Sequence, residues 1–284
     1  MVKIAIPNKG RLSEGALDIL KCAGLNIKDL YERKLIASTD DKRFQLLFVR
    51  ARDIPEFVQA GVADVGITGL DLVKERGANV DIALDLGFGS CELAIAIRDD
   101  SEIGSVDELP DGLTVATTFP NLTADCFKRL GKKIRIVPVS GATEIAPHIG
   151  VADLIVDLVS TGSTLRLNGM KKIGTILKSS AVVITSPRRM EDEEIRSLVY
   201  ALESVVNAKR KKYLMANVSI DALEEVRSFL PGIDGPTVVN IAGNKKMVAI
   251  HVVVDEDRVY DSISRLKELG ATGILILQID RMVP

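Results

Sequence analysis

Short apolar runs rich in β-branched residues alternate with helix-period segments through most of this chain. Strand-length runs lie at residues 2–6, 44–49, 92–97, 134–137 and 153–156. Helical patterns lie between several of them, at residues 11–23, 53–60 and 121–130. Because strand, helix and strand in succession form a βαβ unit, the alternation predicts an α/β fold with mainly parallel sheets. The nearly continuous apolar strands also agree with sheets that are covered on both faces.

A short internal echo indicates that this α/β part contains two similar lobes. Residues 61–64 and 150–153 both read GVAD, and each leads into an apolar strand, a turn of small residues and another helix. The interval between the two copies is too long for a solenoid repeat. The echo therefore predicts two α/β lobes that face each other.

The pattern changes after residues 191–208, whose apolar positions have the spacing of a long amphipathic helix. The following segment reads as strand, helix, strand, strand, helix and strand, with a hairpin-type turn at 242–244. The order βαββαβ is the ferredoxin-like pattern, so a separate third domain is predicted. The basic residues 209–212 at its start read as a solvated helix end, with an anion-binding patch as the alternative.

Composition excludes several classes of function. The net charge is -2 with both signs interspersed, Trp is absent and aromatic residues make up 4%, which argues against a nucleic-acid partner. No apolar run has the length of a membrane span, and residues 1–10 do not read as a signal peptide. The three widely spaced cysteines fit free thiols, and two histidines make a His-based metal site improbable. These features predict a cytoplasmic protein with no membrane partner.

The segment 157–164, DLVSTGST, stands between an apolar strand and residues 165–170, LRLNGM, which read as a helix. A turn of small residues before a helix exposes free N–H groups at the positive end of the helix dipole, which favours phosphate. Gly162 allows close backbone approach. The hydroxyl donors of the turn are Ser160, Thr161, Ser163 and Thr164.

Asp157 begins this segment and is expected at the end of the strand, where its carboxylate would accept hydrogen bonds from sugar hydroxyls. Together with the hydroxyl-rich turn, it predicts a site for a phosphorylated sugar. The alternative is that the turn is only a helix N-cap.

Further polar clusters follow other predicted strands. Lys9, Gly10 and Arg11 place two cations beside a helix start, which suggests a polyphosphate, although an ordinary capped turn is equally compatible. Arg50 and Arg52 would share one face of a strand by alternation, toward either a cleft or solvent. Because ligands of open α/β sheets bind beyond the carboxyl ends of the strands, these clusters are expected in one cleft.

Two more segments border the same expected cleft. Residues 87–92, GFGSCE, do not have the spacing of a dinucleotide fingerprint and read as a hinge or crossover between lobes. Glu144 follows another turn of small residues and is expected to face the crevice that holds Asp157. His148 is expected to have a structural role. The residues alone thus predict a two-lobed protein whose cleft binds a phosphorylated sugar and another polyanion.

Six ordered motifs carry a family resemblance. They are IAIPNKGRL (4–12), RARDIP (50–55), GVADVGITGLD (61–71), DLGFGSCELAIAI (85–97), VATTFPNLT (115–123) and DLVSTGSTLRLNG (157–169). Together they resemble ATP phosphoribosyltransferase, and the resemblance covers the whole chain. The part after residue 208 is similar to the C-terminal regulatory domain of the long form of this family.

The resemblance implies a catalytic part with two lobes like a type II periplasmic binding protein, followed by a ferredoxin-like regulatory domain. It implies that residues 1–90 with 181–206 form lobe I, 91–180 form lobe II and 209–284 form the regulatory domain. The implied reaction joins ATP and phosphoribosyl pyrophosphate to give N1-(5-phosphoribosyl)-ATP and pyrophosphate, as the first step of histidine biosynthesis. The resemblance also implies Mg²⁺, feedback inhibition by histidine, and dimers that assemble into hexamers.

The resemblance also assigns residues. It implies that Ser160, Thr161, Gly162, Ser163 and Thr164 hold the 5-phosphate, and that Asp157 and Glu144 lie near the ribose and its metal. It places around ATP and pyrophosphate Lys9, Gly10, Arg11, Arg50, Arg52, Gly89 and Ser90. It places near a histidine site Asp234, Thr237 and Ala271.

The chain departs from the family pattern at two places. Phe119 stands where members often have Tyr, so a hydroxyl is missing, and the family has an arginine nearer position 92, where this chain has Glu92. Two other classes of protein share parts of this pattern: a two-lobed solute-binding protein without catalysis, and an amino-acid sensor built on the third domain. Release of pyrophosphate distinguishes the enzyme from both.

Overall fold

The structure is a computed structural model that describes residues 1–28, 35–187, 189–233 and 235–283. Asp234, one of the residues assigned to the histidine site, lies outside the described residues. The strands are β1 (Val2–Pro7), β2 (Ile36–Ser38), β3 (Phe44–Val49), β4 (Val65–Gly69), β5 (Asp81–Asp85), β6 (Cys91–Arg98), β7 (Leu113–Thr117), β8 (Ile134–Pro138), β9 (Leu154–Val159), β10 (Met170–Ser179), β11 (Ala181–Thr185), β12 (Lys211–Ser219), β13 (Thr237–Ile241), β14 (Asn244–Asp255) and β15 (Thr272–Gln278). The α-helices are α1 (Arg11–Cys22), α2 (Ile54–Gln59), α3 (Leu70–Arg76), α4 (Pro120–Arg129), α5 (Ser163–Leu167), α6 (Glu193–Lys209), α7 (Leu223–Phe229) and α8 (Val259–Glu268).

The chain divides into two compact units, residues 1–199 and 200–284. The first unit contains two sheets, with the strand orders β2-β3-β1-β4-β11-β5 and β10-β6-β9-β7-β8. Each sheet is the centre of one lobe. The first lobe packs apolar side chains such as Ile54 and Val58 of α2 on its sheet, and the second packs Phe127 of α4 on its own.

Both lobes repeat one topology. Five strands of the first sheet follow the order β3-β1-β4-β11-β5, and the second sheet follows the corresponding order β8-β7-β9-β6-β10. The chain crosses between the lobes twice, after β5 and after β10. Each crossing delivers one strand, β6 or β11, into the interior of a sheet. The predicted two-lobed α/β class is therefore confirmed.

The prediction of mainly parallel sheets was wrong. Parallel pairing is found for β1 with β3 and β4, and for β7 with β8 and β9. The crossing strands β11 and β6 pair antiparallel with both of their neighbours, and the edge strand β2 is antiparallel to β3. A crossing strand enters its sheet from the opposite end, which strand-to-helix alternation along the sequence does not reveal.

The repeated GVAD segment makes the same contact in both lobes. Asp64 accepts a hydrogen bond from the N–H of Lys3 at 2.8 Å and donates its own N–H to the carbonyl oxygen of Lys3 at 2.9 Å. Asp153 makes the same pair of bonds with Thr114, at 2.7 and 2.9 Å. The aspartate thus ties the start of β4 to β1 in the first lobe and the start of β9 to β7 in the second, so the echo has a structural cause.

The short helix α5 differs from the prediction made for LRLNGM. The helix covers Ser163–Leu167, and β10 begins at Met170. Gly169 has φ 57°, in the left-handed region that favours glycine and ends helices. The turn of small residues is therefore followed by a helix of five residues.

The second unit contains the antiparallel sheet β13-β14-β12-β15 with α7 and α8, in the chain order βαββαβ. Its core alternates along the strands, as Leu214, Ala216 and Val218 of β12 show, and includes Val226 of α7 and Leu266 of α8. The predicted ferredoxin-like domain is confirmed. Among the described residues of the whole chain, no helix is both long and apolar enough to cross a membrane.

Candidate active site

A cavity of about 320 Å³ lies between the two lobes of the first unit. Residues of both lobes form its wall, which contains Lys9, Gly10, Arg11, Leu12, Ala51, Arg52, Gly69, Asp71, Leu72, Gly89, Cys91, Thr118, Phe119, Asp157, Leu158 and Ser180. Six of the residues assigned from the sequence are in this wall: Lys9, Gly10, Arg11, Arg52, Gly89 and Asp157.

The basic part of the wall comes from the first lobe. Strand β1 ends at Pro7, and Lys9 and Arg11 flank Gly10, which has φ 82° and precedes the first residue of α1. Both cations are exposed. Arg11 donates a hydrogen bond from Nη1 to Oγ of Ser160 in the second lobe. The first lobe therefore presents positive charge to the cavity and contacts the hydroxyl-rich turn.

The two arginines after β3 do not share a strand face. Strand β3 ends at Val49, and residues 51–53 form one turn of 3-10 helix, so side-chain alternation does not continue through them. Arg52 lines the cavity between the lobes and an adjoining cavity of about 250 Å³, whereas Arg50 lines neither. The alternation argument for Arg50 was therefore wrong.

The hydroxyl-rich turn begins at Ser160, two residues after Leu158, which lines the cavity together with Asp157. Gly162 has φ 72° and precedes α5, and Thr161 Oγ1 lies 2.8 Å from Ser163 Oγ. Ser160, Thr161, Ser163 and Thr164 are exposed. None of these four belongs to the cavity wall itself. Their hydroxyl groups are therefore available to a ligand that extends beyond the cavity.

Asp157 lies inside β9, opposite Ala94 of β6, and not at the end of the strand as predicted. Its Oδ1 accepts a hydrogen bond from the N–H of Leu158 at 2.7 Å. Burial raises the pKa of this carboxyl group above its ordinary value, and the charge of Glu144 raises it further. Glu144 is not part of the cavity wall, so its expected position facing the crevice stays a prediction.

The turn before Glu144 contains Ala142 with φ 49°, the one positive φ outside glycine among the described residues. Such a conformation is costly for alanine and occurs preferentially at functional sites.

His148, four residues after Glu144, contacts the carbonyl oxygen of Asn168 through Nε2 at 2.7 Å. This bond agrees with the structural role predicted for His148.

Residues 86–90 form the first crossover between the lobes. Gly89, with φ 66°, and Cys91 line the cavity, whereas Ser90 does not. Partial burial raises the pKa of the Cys91 thiol, and the charge of Asp71 raises it further.

Glu92 accepts hydrogen bonds from Lys172 and Thr175 of β10 and is absent from the cavity wall. The carboxylate of Glu92 is thus hydrogen-bonded within the second lobe.

Several wall residues were not singled out from the sequence, including Gly69, Asp71, Thr118 and Ser180. Asp71 is buried, and its Oδ1 accepts a hydrogen bond from Ser179 Oγ at 2.5 Å. A Cβ on Gly69 would lie 2.4 Å from that oxygen, so a larger residue there would force the Asp71 side chain to move. The available signal was the segment ITGLD, which follows the first GVAD as the hydroxyl-rich turn follows the second.

No group of three or more His, Cys, Asp or Glu side chains within the described ranges could hold a metal ion alone. Asp157 lines the cavity, and the charge of Glu144 contributes to its raised pKa. A magnesium ion usually takes one or two protein carboxylates and completes its shell with substrate phosphates and water. This donor set fits a metal that arrives with a phosphorylated substrate.

In the second unit, Thr237 and Ala271 are not brought together. Thr237 begins β13 and Ala271 precedes β15, and these are the two outer strands of the sheet. Three strand spacings separate outer strands of such a sheet, or about 14 Å. One amino acid does not reach both residues within one copy of the chain.

The fold and the cavity define a two-lobed α/β protein with a cleft for anions, followed by a ferredoxin-like domain. The family model described as ATP phosphoribosyltransferase matches residues 50–204, and the model described as HisG, C-terminal domain, matches residues 208–281. The chain belongs to the ATP phosphoribosyltransferase family and is a transferase of histidine biosynthesis.

Similar proteins agree over the full length. The ATP phosphoribosyltransferase of Gemmatimonas aurantiaca is 48% identical, and that of Methanocaldococcus jannaschii is 47% identical. In both comparisons the match covers 100% of each chain. A solved chain from the ATP phosphoribosyl transferase (HisG:HisZ) complex of Thermotoga maritima is 28% identical with a TM-score of 0.64, covering 73% of this chain and 99% of that one.

Proposed function

We propose that this chain transfers the 5-phosphoribosyl group of phosphoribosyl pyrophosphate to N1 of ATP and releases pyrophosphate. The observation that carries the proposal is one cavity with cations from one lobe and a carboxylate from the other. Lys9, Arg11 and Arg52 line it on the first-lobe side, and Asp157 lines it on the second-lobe side. Family membership identifies the two substrates that such a cleft would hold.

The second lobe would bind the sugar. Backbone N–H groups and hydroxyls of residues 160–164 would donate to the 5-phosphate, since several such donors to a charged oxygen give micromolar binding. Asp157, just before this turn, would accept hydrogen bonds from the ribose hydroxyls. The proximity of the turn and the carboxylate in β9 supports this division of roles.

The first lobe would bind the polyphosphates. Lys9, Arg11 and Arg52 would contact the pyrophosphate and the phosphates of ATP, and Gly10 would let those groups approach the backbone. We assign Arg50 and Ser90 no contact in the cavity, because both lie outside its wall. Gly89 would line the nucleotide side at the crossover.

In the reaction, N1 of ATP forms a bond to C1 of the ribose as the bond from C1 to the pyrophosphate oxygen breaks. Positive charge develops on the ribose as in other glycosyl transfers, and the ionised Asp157 would stabilise it. The arginines would neutralise the negative charge that pyrophosphate gains. The chain's contribution is positioning and electrostatics, without a covalent nucleophile.

We propose Mg²⁺ as the metal, held by Asp157 and Glu144 together with the phosphates of the sugar substrate. When bound, it supplies positive charge to the leaving pyrophosphate. The two carboxylates interact already in this structure, since the charge of Glu144 raises the pKa of Asp157. A bound cation would oppose that shift and keep Asp157 ionised.

We propose that lobe I consists of residues 1–90 with 181–206, lobe II of 91–180 and a regulatory domain of 209–284. The sheet memberships support this division, because β11 joins the first sheet and β10 the second.

Histidine would bind to the third domain. Since Thr237 and Ala271 lie at opposite sheet edges, the binding site would be completed by a second copy in a homo-oligomer, in which dimers assemble into hexamers.

The experiment is pyrophosphate release by purified protein with ATP, phosphoribosyl pyrophosphate and Mg²⁺, with and without histidine. We expect release that requires both substrates and that histidine suppresses. Release that ignores histidine would remove the regulatory proposal and keep the transfer reaction. Binding of either substrate without release would favour a solute-binding protein or a sensor and overturn the proposed function.

A further inference from the structure

Helix α3 of the first lobe contacts the second lobe through three side chains. At its start, the N–H of Asp71 donates to Ser179 Oγ at 3.0 Å, and the same hydroxyl donates to Asp71 Oδ1 at 2.5 Å. Ser179 is the last residue of β10, in the second sheet. Leu72 packs against the apolar core of the second lobe. The helix therefore belongs to the first lobe by sequence and is docked on the second.

The third contact is a helix cap made across the lobes. Glu75 Oε1 accepts a hydrogen bond from the N–H of Asn121 at 2.9 Å, and Oε2 accepts one from the N–H of Leu122 at 2.9 Å. The Asn121 amide donates in return to the carbonyl oxygen of Glu75 at 2.9 Å. Asn121 and Leu122 are in the first turn of α4, where N–H groups have no acceptor within the helix. A single carboxylate from the other lobe thus satisfies two of them.

These contacts act as one brace because of their spacing. Asp71 and Glu75 are four residues apart, so they lie on one face of α3 about 6 Å from each other. One holds the second lobe at the crossover and the other holds it at α4. Leu72 fills the space near the first. Rotation of the lobes about the crossover would have to break the Glu75 bonds.

Further hydrogen bonds hold the crossover itself. Asp85, the last residue of β5, accepts hydrogen bonds through Oδ1 from Ser180 Oγ at 2.7 Å and from the N–H of Gly87 at 2.9 Å. Gly87 and Ser180 belong to the two different crossings of the chain. One carboxylate therefore joins both connections between the lobes, and the cleft is fixed at its base as well as at α4.

The helix that carries these contacts has an equivalent position in the second lobe. In the first lobe a helix follows β4, and in the second lobe a helix follows the equivalent strand β9. In the second lobe three residues separate strand and helix, and they belong to the hydroxyl-rich turn. In the first lobe α3 begins directly after β4, at Leu70, with no such turn. The same position of the repeat thus presents hydroxyls in one lobe and lobe-to-lobe contacts in the other.

We propose that Glu75 is a positioning residue, which holds the two lobes at the separation needed for one cavity between Arg11 and Arg52 on one side and Asp157 on the other. The cleft is braced and does not open freely about its crossover. Glu75 is absent from the wall of that cavity and lines the adjoining cavity with Arg52. Its role in this proposal is exerted through the placement of α4 and the second lobe.

The first test measures hydrogen exchange in the full-length protein without substrates. We expect the amides of Asn121 and Leu122 to exchange about ten-fold faster in Glu75→Ala, since a bond to a charged acceptor of ordinary strength is lost. Glu75→Gln keeps one carbonyl acceptor and is expected in between. Peptides within residues 211–219 serve as the internal reference. Glu56→Ala, an exposed glutamate of α2 in the same lobe, is the matched control.

The second test is kinetic and rests on the proposed function. If the variant lobes separate, substrates bind only to the fraction of molecules in which the lobes are correctly spaced. We expect the KM values of both substrates to rise about ten-fold in Glu75→Ala, with kcat within about two-fold of wild type and partial recovery in Glu75→Gln. Loss of a merely structural cap would lower the Tm and leave both KM values unchanged.

Unchanged exchange at Asn121 and Leu122 in Glu75→Ala would overturn the proposal. Faster exchange with both KM values within about two-fold of wild type would also overturn it, because losing the cap of α4 would then have no effect on the cleft. If Glu75→Ala does not fold, Glu75→Gln carries the same comparison. Absence of pyrophosphate release by the wild type would overturn the proposed function alone, because the exchange test needs no activity.

Discussion

Arg11 of the first lobe donates a hydrogen bond through Nη1 to Oγ of Ser160 in the second lobe, although 149 positions separate them in sequence. The bond joins the basic group at the start of α1 to the hydroxyl-rich turn before α5. The two elements proposed to bind phosphate are thus adjacent, as they would be when one substrate carries a phosphate at one end and pyrophosphate at the other. A bound substrate would compete with Ser160 for the guanidinium group.

Arg11→Ala is expected to lower kcat/KM for phosphoribosyl pyrophosphate about 30-fold, as expected for a charge-assisted contact worth about 2 kcal/mol. Arg11→Lys keeps the charge and is expected to recover part of this loss. Steady-state kinetics with each substrate varied in turn provide the measurement. Arg43→Ala, which removes an exposed cation paired with Asp41 in the same lobe, is the control. Equal losses in the two alanine variants would contradict the role of Arg11.

Asp157→Asn is expected to lower kcat about a hundred-fold while the affinity for ATP changes little. The reason is that the carboxylate acts mainly on charge that develops on the ribose during transfer. Turnover and equilibrium binding of ATP should be measured on the same preparation. Parallel losses of turnover and ATP affinity would place Asp157 at the nucleotide instead.

The raised pKa of Asp157 predicts a pH dependence of stability. A carboxyl group whose pKa is higher in the folded than in the unfolded state binds more protons when folded. The free energy of unfolding therefore decreases as pH rises from the ordinary aspartate pKa through the raised one. Asp157→Asn removes this ionisation, so we expect the variant to be more stable than wild type at neutral pH.

Denaturant titrations of the wild type and Asp157→Asn at several pH values between the acidic range and neutrality measure this difference. We expect the stability gain of the variant to shrink as pH falls below the raised pKa of Asp157. A gain that is constant with pH would show that the carboxylate charge is not its cause. The kcat/KM of the wild type should decline over the same acidic interval, because kcat/KM reports the ionisation of the free enzyme and the ionised form is needed for transfer.

Thr161→Ala is expected to raise the KM for phosphoribosyl pyrophosphate about ten-fold, with little change in the KM for ATP. The variant loses one hydroxyl donor to the 5-phosphate, and a bond to a charged oxygen of this kind accounts for that factor. Thr175→Ala is the control, because Thr175 is in the same lobe, donates to Glu92 and lies outside the cavity wall. An unchanged KM would exclude Thr161 from phosphate binding.

The amino-acid sequence by itself determined the features that depend on neighbours in the chain. Apolar periodicity located many of the strands and helices, GVAD marked equivalent positions of two lobes, and the order βαββαβ identified the last domain. The positions of Lys9 and Arg11 after a strand were also readable, because each strand carries its polar neighbours to one edge of the sheet.

Only the tertiary structure decided what depends on contacts between distant segments. It reversed the direction of β6 and β11 within their sheets, because each strand enters after crossing from the other lobe. It removed Arg50 from the cavity, because a 3-10 turn interrupts the alternation after β3. It paired Glu75 with α4, 46 and 47 positions away. Local periodicity does not encode which free N–H groups and carboxylates meet, since the packing of whole lobes sets those distances.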